Sequence, residues 1–505
     1  MSFLSLSLSR LKTLPFQKGK DLLALASSLV RQLLSGAELL STRQFLGGAH
    51  LLIQDQLLGD EHTLNQNWYN GVRPFLDDTS SHQASLPQHE DRPGPWGRVL
   101  MELPDHDRFQ HRYVLGKTGT GKSTLLGAMM LDDIARGDGL FYVDPHGEDA
   151  DRLLERIPPA RRADTILFDP SDDENVCPIN LLADVAPDWR PFVASSLVDT
   201  FKSIWGYDML ATPVMDQYLY NSVAALLEAP DATLMDIRFM LTSQNFRDRT
   251  IDHVCDPAIR AFWQNDFASL NERDRRETAR STLNKIGALL ADPRMRGVIA
   301  YPKSMIRIED ILEQQKILIA RLPQGRLGLQ KTQMLGSLLL ARFHMAVLAR
   351  QGRKPFHIYL DECHHFAPGT LTEMLSGIRK FGVSLTLCHQ YISQLMPRLR
   401  EAILGTVGTK IVFRVGLADA EALRHEFPVN PVWHAVSETP PYQAQISLPS
   451  GRSSLKLEAG QQGSGSLETA KRIRAFSRRH HTIKRTRVER HVARRFHEAE
   501  GTVKA

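Results

Sequence analysis

One stretch of the chain has the residue types and spacing needed to bind the phosphates of a nucleotide. Residues 116–123 match the pattern GxxxxGK[ST], follow an apolar run at 113–115 and precede a helix-forming stretch. The glycines of this segment let backbone N–H groups curl around phosphate oxygens, and the N-terminus of the following helix adds a favourable dipole. The predicted nucleotide-binding residues are Gly116, Lys117, Thr118, Gly119, Thr120, Gly121, Lys122, Ser123 and Thr124.

Two side chains of this pattern have separate roles. Lys122 would neutralise charge on the β- and γ-phosphates, and the Ser123 hydroxyl would complete the coordination shell of Mg²⁺. The pattern therefore predicts ATP and Mg²⁺ as cofactors and Lys122 as a catalytic residue. The alternative is a glycine-rich turn that matches by chance, and the flanking strand and helix argue against it.

The apolar run that ends at residue 360 is followed by two adjacent carboxylates, Asp361 and Glu362. Successive residues at a strand end point in different directions. Asp361 can therefore face Mg²⁺, while Glu362 faces the attacking water as a general base. We predict Asp361 as a metal ligand beside Ser123, and Glu362 as catalytic.

Two further candidates flank the next apolar run, residues 384–388. Gln390 follows the run, and an amide at this edge can hydrogen-bond the γ-phosphate or the attacking water. Arg379 precedes the run, and an arginine near the nucleotide edge of a ring subunit can reach the neighbour's phosphates. We predict both as catalytic residues. The alternative for Arg379 is a solvated cation at a helix C-terminus.

The elements that must position these residues follow a regular pattern. Short apolar runs alternating with helices are typical of a parallel sheet, so the fold class is α/β. The runs lie at residues 113–115, 139–143, 165–168, 317–320, 357–360, 384–388 and 410–415. The predicted domains are a helical N-terminal region and linker (1–95), the first half of a P-loop NTPase domain (96–188), an all-α insertion (189–304), the second half (305–445), and a flexible joint with a basic tail (446–505).

Composition excludes several classes of protein. Hydrophobic residues make up 42% and charged residues 24%, as in ordinary soluble proteins. No run of 18 apolar residues occurs, so no transmembrane helix is expected; residues 21–40 predict an amphipathic helix packed on the body. The four cysteines are scattered, which argues against a disulfide framework and for a reducing cytosol. The Cys-His segments at 363–365 and 388–389 lack the spacing of metal ligands, so packing or phosphate-proximal roles are favoured.

Charge is concentrated near the end of the chain. Residues 471–497 contain eleven Lys or Arg against one acidic residue, Glu489, whereas the whole chain has a net charge of +5. The rest of the chain is therefore mildly acidic. Such basic tails often contact nucleic acid, although a solvated helical surface would look the same.

The motifs together resemble those of the type IV secretion coupling proteins, the conjugative DNA-transfer ATPases of the HerA–FtsK superfamily. Five segments accompany the phosphate loop in order: 144–147 (DPHG), 178–181 (PINL), 320–325 (ARLPQG), 361–362 (DE) and 380–390 (KFGVSLTLCHQ). The resemblance implies a RecA-like motor with an all-α insertion, assembled as a homo-hexameric ring with DNA in its channel. It also implies that Arg379 acts in trans and that Asp144 and His146 lie near the nucleotide.

The sequence departs from this family in one respect. Members of the family usually begin with transmembrane helices, and none is predicted here. We expect a cytoplasmic protein, with peripheral attachment to the inner membrane left open. The leading hypothesis is an ATP-driven DNA translocase of conjugative or type IV secretion-type transfer, with secretion-channel or relaxosome proteins as further partners. Alternatives are an ATPase or substrate-recruiting receptor for protein export, and a soluble HerA-type repair or defence translocase. A kinase is disfavoured, because a transferase has little use for a water-activating Glu362.

Overall fold

The computed structural model describes residues 98–99, 109–205, 213–423, 436–448, 451–458 and 465–499. The predicted N-terminal helical region, including the amphipathic stretch at 21–40, lies outside the described residues. No helix within the described ranges is long and apolar enough to cross a membrane.

A mostly parallel sheet organises the described chain. Its ten strands lie in the order β1-β11-β10-β9-β2-β8-β7-β3-β6-β4, and β5 pairs with β12 as a separate ribbon. The seven strands from β9 to β4 are parallel, whereas β10, β11 and β1 pair antiparallel at one side. The strands are β1 (Arg98–Val99), β2 (Arg112–Leu115), β3 (Gly139–Asp144), β4 (Thr165–Phe168), β5 (Asn175–Val176), β6 (Ile317–Arg321), β7 (Phe356–Leu360), β8 (Val383–His389), β9 (Thr409–Val412), β10 (Gln443–Leu448), β11 (Gly451–Glu458) and β12 (Ile483–Lys484).

The apolar runs of the sequence form the parallel centre of this sheet. Every residue of β2, β3, β7 and β8 is buried, because helices cover both faces of a parallel sheet. The run at 410–415 ends as a strand already at Val412, because the chain then turns towards the phosphate loop. There the Arg414 carbonyl accepts the N–H of Lys117 at 2.9 Å.

Helices cover the sheet and form the inserted region. Between β5 and β6 the described residues form helices, α3 to α11, and no strand, which confirms an α/β fold with an all-α insertion. The helices are α1 (Lys122–Arg136), α2 (Glu148–Leu154), α3 (Arg190–Trp205), α4 (Pro213–Glu228), α5 (Ile237–Thr242), α6 (Gln244–Ile251), α7 (Pro257–Ala261), α8 (Phe267–Ser269), α9 (Glu272–Ala291), α10 (Pro293–Ile299), α11 (Ile308–Glu313), α12 (Gln324–Leu327), α13 (Leu329–Leu348), α14 (Pro368–Gly377), α15 (Pro397–Thr406), α16 (Leu417–Ala422), α17 (Leu467–His481) and α18 (Arg485–Ala499).

The basic tail consists of two helices that pack on the body. Both are amphipathic: Ile473 of α17 and Val488 and Val492 of α18 are buried. The segment predicted as a flexible joint contains β11, because its residues 451–458 pair antiparallel with β10. The predicted joint therefore contributes a strand to the sheet.

Ion pairs join these two helices and β12 to the body. The loop after β4 carries four carboxylates, so it attracts the arginines that follow the sheet in sequence. The pairs are Arg474 with Asp151 and Asp169 (4.0 Å to the latter), Arg478 with Asp172 (2.8 Å), Lys484 with Glu174 (3.2 Å), Arg296 with Glu489 (3.1 Å) and Arg495 with Asp236 (3.0 Å).

Helix α17 also satisfies the edge strand of the sheet. The Ser477 hydroxyl accepts the N–H of Leu167 at 3.0 Å and donates to the carbonyl of the same residue at 3.2 Å. Since β4 is the last strand in the sheet order, these backbone groups face no further strand. A side chain thus occupies the position of a neighbouring strand.

Candidate nucleotide site

The phosphate loop lies between the end of β2 and the start of α1. Strand β2 is flanked by β9 and β8 near the centre of the sheet, and helix α1 begins at Lys122. Gly121 precedes it with φ of 114°, a conformation that residues with a Cβ atom rarely adopt. The glycine therefore lets the chain turn sharply from the loop into the helix.

Hydrogen bonds within the loop hold it in a closed curl. The Lys117 carbonyl accepts from the Thr120 hydroxyl at 2.7 Å and from the Lys122 ammonium at 3.1 Å. The chain also returns to the loop, since the N–H of Tyr442 donates to the Thr120 carbonyl at 2.8 Å. The Lys122 ammonium consequently lies inside the curl, where a β- or γ-phosphate would sit.

Asp361 follows β7, two strands away from β2 in the sheet. Its carboxyl is buried, and burial raises its pKa to about 7, with Glu362 and Asp144 as further causes. The Lys122 ammonium acts in the opposite direction and lowers this pKa. The sheet therefore brings the predicted metal ligand and the phosphate-loop lysine into one electrostatic environment that favours a bound cation.

Glu362 has an unusual backbone conformation. Its φ is 46° and its ψ is 50°, in the left-handed region that non-glycine residues rarely occupy. Such strain collects at functional sites, where it aims a side chain. The Glu362 side chain is buried, and its Oε1 accepts the amide Nε2–H of Gln390 at 2.7 Å.

Gln390 joins the acidic pair to the phosphate loop. Strand β8, which it follows, lies between β2 and β7 in the sheet. Its Oε1 accepts the hydroxyl of Thr118 at 3.1 Å, while its Nε2 donates to Glu362. Phosphate loop, amide and predicted base thus form one continuous hydrogen-bonded chain.

Arg379 lies before β8, at the end of this strand opposite to the phosphate loop. It belongs to the short 3₁₀ segment Ile378–Phe381, which precedes β8, whereas Gln390 follows that strand. A strand of this length separates the two by roughly 20 Å, at about 3.3 Å per residue. Arg379 is exposed, and the length of β8 separates it from the phosphate loop of its own chain.

Asp144 and His146 differ in what they contact. The buried carboxylate of Asp144 accepts the N–H groups of His146 and Ala150, both at 2.8 Å, and so caps the start of α2. It also raises the pKa of Asp361, which places its charge near the predicted metal ligand. His146 is exposed, and its Nδ1 lies 3.2 Å from the side-chain nitrogen of Gln324.

Gln394 and the aromatic network around it were not among the residues predicted from the sequence. The Gln394 Oε1 accepts the N–H groups of Gln390 (3.1 Å) and Tyr391 (3.0 Å) and contacts His389 Nδ1 at 3.3 Å. The Nε2 of His389 lies 2.7 Å from the Tyr113 hydroxyl. Burial lowers the pKa of His389 to about 3, so its ring is neutral. The sequence feature that could have indicated this residue is a second glutamine four residues after Gln390.

The cysteines and histidines near the site lie outside the cluster of potential metal ligands found within the described ranges. Among the described residues, the group that brings three ligand atoms within 4.8 Å of one another is Asp133, Asp138 and His357. Burial raises the pKa of the Cys363 and Cys388 thiols well above its ordinary value, which keeps both protonated.

The structure is similar to solved structures of the plasmid coupling protein TrwB and of VirB4. The plasmid coupling protein TrwB with the ATP analogue ADPNP superposes with a TM-score of 0.55 at 16% identity, covering 75% of this chain and 92% of that chain. TrwB with ADP and Mg²⁺ gives 0.52 at 17% identity, covering 71% and 88%. VirB4 of Thermoanaerobacter pseudethanolicus gives 0.50 at 16% identity, covering 74% and 98%.

No protein-family model matches the sequence, and no curated protein matches it either. At these identities the superpositions establish the fold. The resemblance to the conjugative coupling proteins that the order of the motifs indicates is confirmed at the level of the fold: the chain has the RecA-type P-loop fold of the coupling protein TrwB.

Proposed function

We propose that this protein is an ATP-hydrolysing DNA translocase that works as a homo-hexameric ring in conjugative or type IV secretion-type DNA transfer. The observation that carries the hydrolytic part is the bridge from Thr118 through Gln390 to Glu362. It joins a phosphate-binding loop to a buried carboxylate, which is the arrangement needed to activate water at a γ-phosphate.

The residues at the site fit ATP with Mg²⁺. The Ser123 hydroxyl and the Asp361 carboxylate are hard oxygen donors, the type that Mg²⁺ prefers. The raised pKa of Asp361 indicates a carboxylate short of positive charge, which a cation would supply. When bound, Mg²⁺ would neutralise charge on the β- and γ-phosphates.

The chain's own side chains perform the remaining steps. Lys122 binds the β- and γ-phosphates, and Glu362 accepts the proton of the attacking water at a carboxylate oxygen. Gln390 orients Glu362. It can also transmit a conformational change of the phosphate loop to β8. Arg379 would stabilise transition-state charge on a neighbouring subunit's nucleotide.

Similar structures support the assignment of cofactor and process. TrwB is described as a conjugative coupling protein, and its structures contain ADP with Mg²⁺ or the non-hydrolysable analogues GDPNP and ADPNP. The all-α insertion, the parallel sheet and the exposed Arg379 fit a ring subunit of this kind.

A second candidate is an ATPase for protein export. It is favoured by the ion pairs of the basic tail, since cations bound to the body are not available to phosphates. The test is steady-state ATPase activity with and without single- and double-stranded DNA, measured with the assembly state. Stimulation by DNA in a hexamer supports translocation; hydrolysis that ignores DNA favours export; no hydrolysis contradicts both.

A further inference from the structure

The cations of the basic tail fall into two sets with different surroundings. Arg474, Arg478 and Arg495 pair with carboxylates of the body. Arg487, Arg490 and Arg494 lie on α18 at spacings of three and four residues, which places them on one face of the helix. All three are exposed. We call them the outer stripe.

The opposite face of α18 is held against the all-α insertion. Val488 and Val492 are buried, and Phe496 packs edge-on against Phe239 with ring centroids 5.0 Å apart. Arg495 donates to both carboxylate oxygens of Asp236, at 3.0 and 3.2 Å. The helix is therefore fixed by one face, and the outer stripe points away from the body.

The outer stripe is only partly neutralised by its own surroundings, since one of its three arginines has an acidic partner among the described residues. Arg490 donates to the Thr486 carbonyl at 3.3 Å, and Arg494 forms an intrahelical pair with Glu498 at 3.4 Å. Glu489, which lies between these arginines in sequence, is bound to Arg296 on another face. The stripe thus presents cationic charge to solvent.

We propose that the outer stripe is a docking surface for the phosphate backbone of DNA, an inference that rests on the proposed translocase function. Arginine presents a planar fork of donors that fits phosphate oxygens. The stripe is about 10 Å long, at about 1.5 Å per residue, and a duplex offers roughly one negative charge per 1.7 Å. A protein partner is less suited, since interface cores need apolar or aromatic anchors and the stripe has none.

The insertion itself offers a matched control. Arg273, Arg276 and Arg280 of α9 have the same spacing and are also exposed. They are interleaved with three carboxylates, and Arg276 pairs with Glu272. Replacing each triplet by Glu therefore changes net charge equally, on surfaces of different potential.

The experiment measures binding of labelled duplex and single-stranded DNA to each full-length variant over a salt series. The stripe variant should lose affinity on the order of tenfold near 0.1 M salt, and its salt slope should fall by roughly 2 to 3, at about 0.9 per phosphate contact. The α9 variant should change little. Replacing the three arginines of the outer stripe by Gln should also lower the DNA affinity and the salt slope, because this change removes their charge.

Equal DNA affinity and salt slope in wild type and stripe variant would overturn this proposal while leaving the translocase function intact. A stripe variant that binds DNA normally but assembles poorly would assign the stripe to a subunit interface. Wild-type protein that binds no DNA at all would contradict the proposed function itself.

A second inference comes from the hydrogen-bond network behind Glu362. Backbone N–H groups can only donate, so the two that reach Gln394 identify the accepting atom as its oxygen. Its Nε2 is therefore a donor, and the His364 Nε2 at 3.3 Å must accept. The proton of the neutral His364 ring is then on Nδ1.

That proton faces the predicted base. His364 Nδ1 lies 3.4 Å from Glu362 Oε2, and among the described residues neither buried atom has a hydrogen-bond partner. Such contacts are often long in nucleotide-free enzymes and tighten with substrate. Burial lowers the pKa of His364, which favours the neutral ring that this arrangement requires.

We infer that His364, oriented by Gln394, is a positioning residue that holds the second oxygen of Glu362, given the proposed ATP hydrolysis. Gln390 holds the first oxygen at 2.7 Å. With both oxygens restrained, the carboxylate would have one orientation towards the attacking water.

The test exploits the shape of asparagine, whose side-chain nitrogen can replace the Nδ1–H donor of histidine. His364→Phe should lower kcat roughly ten- to a hundredfold, the usual worth of a hydrogen bond to a charged group, with KM for ATP little changed. His364→Asn should retain most of kcat. His365→Phe, at the adjacent ring, is the control.

Equal losses in His364→Asn and His364→Phe would assign a purely packing role, and normal kcat in His364→Phe would remove the residue from the reaction. Either outcome overturns the inference and leaves ATP hydrolysis by the wild type unaffected. Absence of hydrolysis in the wild type would contradict the proposed function instead.

Discussion

The amide of Gln390 donates to the carboxylate of Glu362 over 2.7 Å, and its oxygen accepts from Thr118 of the phosphate loop. Gln390→Ala should therefore lower kcat by roughly ten- to a hundredfold and change the Kd for ATP little. Thr118→Val removes only the loop side of this bridge and should cost less. Single-turnover hydrolysis together with nucleotide binding checks both variants; wild-type kcat in Gln390→Ala would contradict the assigned role.

The two acidic residues should differ in what they support. Glu362→Gln keeps an amide acceptor for Gln390 but removes the proton-accepting group, so ATP should bind tightly and turn over slowly, trapping the ring on DNA. Asp361→Ala should weaken Mg²⁺-dependent nucleotide binding. Calorimetry with and without Mg²⁺ separates the two effects. The division of roles would be wrong if both variants lost nucleotide affinity equally.

Lys122 is the main cation of the phosphate loop. Lys122→Ala should reduce turnover by at least about a hundredfold, since a preorganised charge facing the transferred phosphate is lost. Nucleotide affinity should fall as well. Lys303→Ala, at an exposed lysine, is the control for charge removal. Near wild-type turnover in Lys122→Ala would exclude ATP hydrolysis at this site.

Asp361 should make stability depend on pH. Burial raises its pKa from 3.8 to about 7, so within this window the folded protein holds a proton that the unfolded chain has released. Stability contributed by this group therefore falls as pH rises from about 4 to 7, and stays lower above. Asp361→Asn mimics the protonated form. Without nucleotide it should raise Tm by a few degrees at pH 8 and change it little at pH 5, as thermal unfolding can measure; equal Tm changes at both pH values would refute the assignment.

Arg379 should act across a subunit boundary. Arg379→Ala should bind ATP normally yet lose on the order of a thousandfold in hydrolysis, because the residue meets only a neighbour's transition state. Mixing it with Lys122→Ala subunits should restore some activity, since intact phosphate loops then lie beside intact arginines. Lys380→Ala, at the adjacent exposed cation, is the control. No recovery in demonstrably mixed rings would make Arg379 a local structural cation.

Much of the fold could be predicted from local pattern. The central strands carry continuous apolar runs because both faces are covered, and the phosphate loop is recognisable because glycine and lysine are needed at fixed positions. The strands β10 and β11 were missed, because polar residues alternate through β10. Such strands depend on partners brought from elsewhere in the chain.

The individual residues of the site could be predicted from the sequence, but the contacts between them could not. Asp361, Glu362 and Gln390 follow apolar runs and are visible in sequence. The position of β8 between β2 and β7, which joins Gln390 to Thr118, follows from sheet order. The ion pairs of the tail were likewise hidden, because a count of charges does not show that Arg474 lies against Asp151.

The contact between Ser477 and Leu167 also bears on how the chain avoids self-association. A sheet margin with unbonded amides is a template onto which another molecule can add a strand, the first step of aggregation. Strand β4 is synthesised about three hundred residues before α17, so this margin stays exposed throughout most of translation. Protection arrives with the last described helices, and a chain that lacks the residues from 467 onwards would leave this margin uncovered.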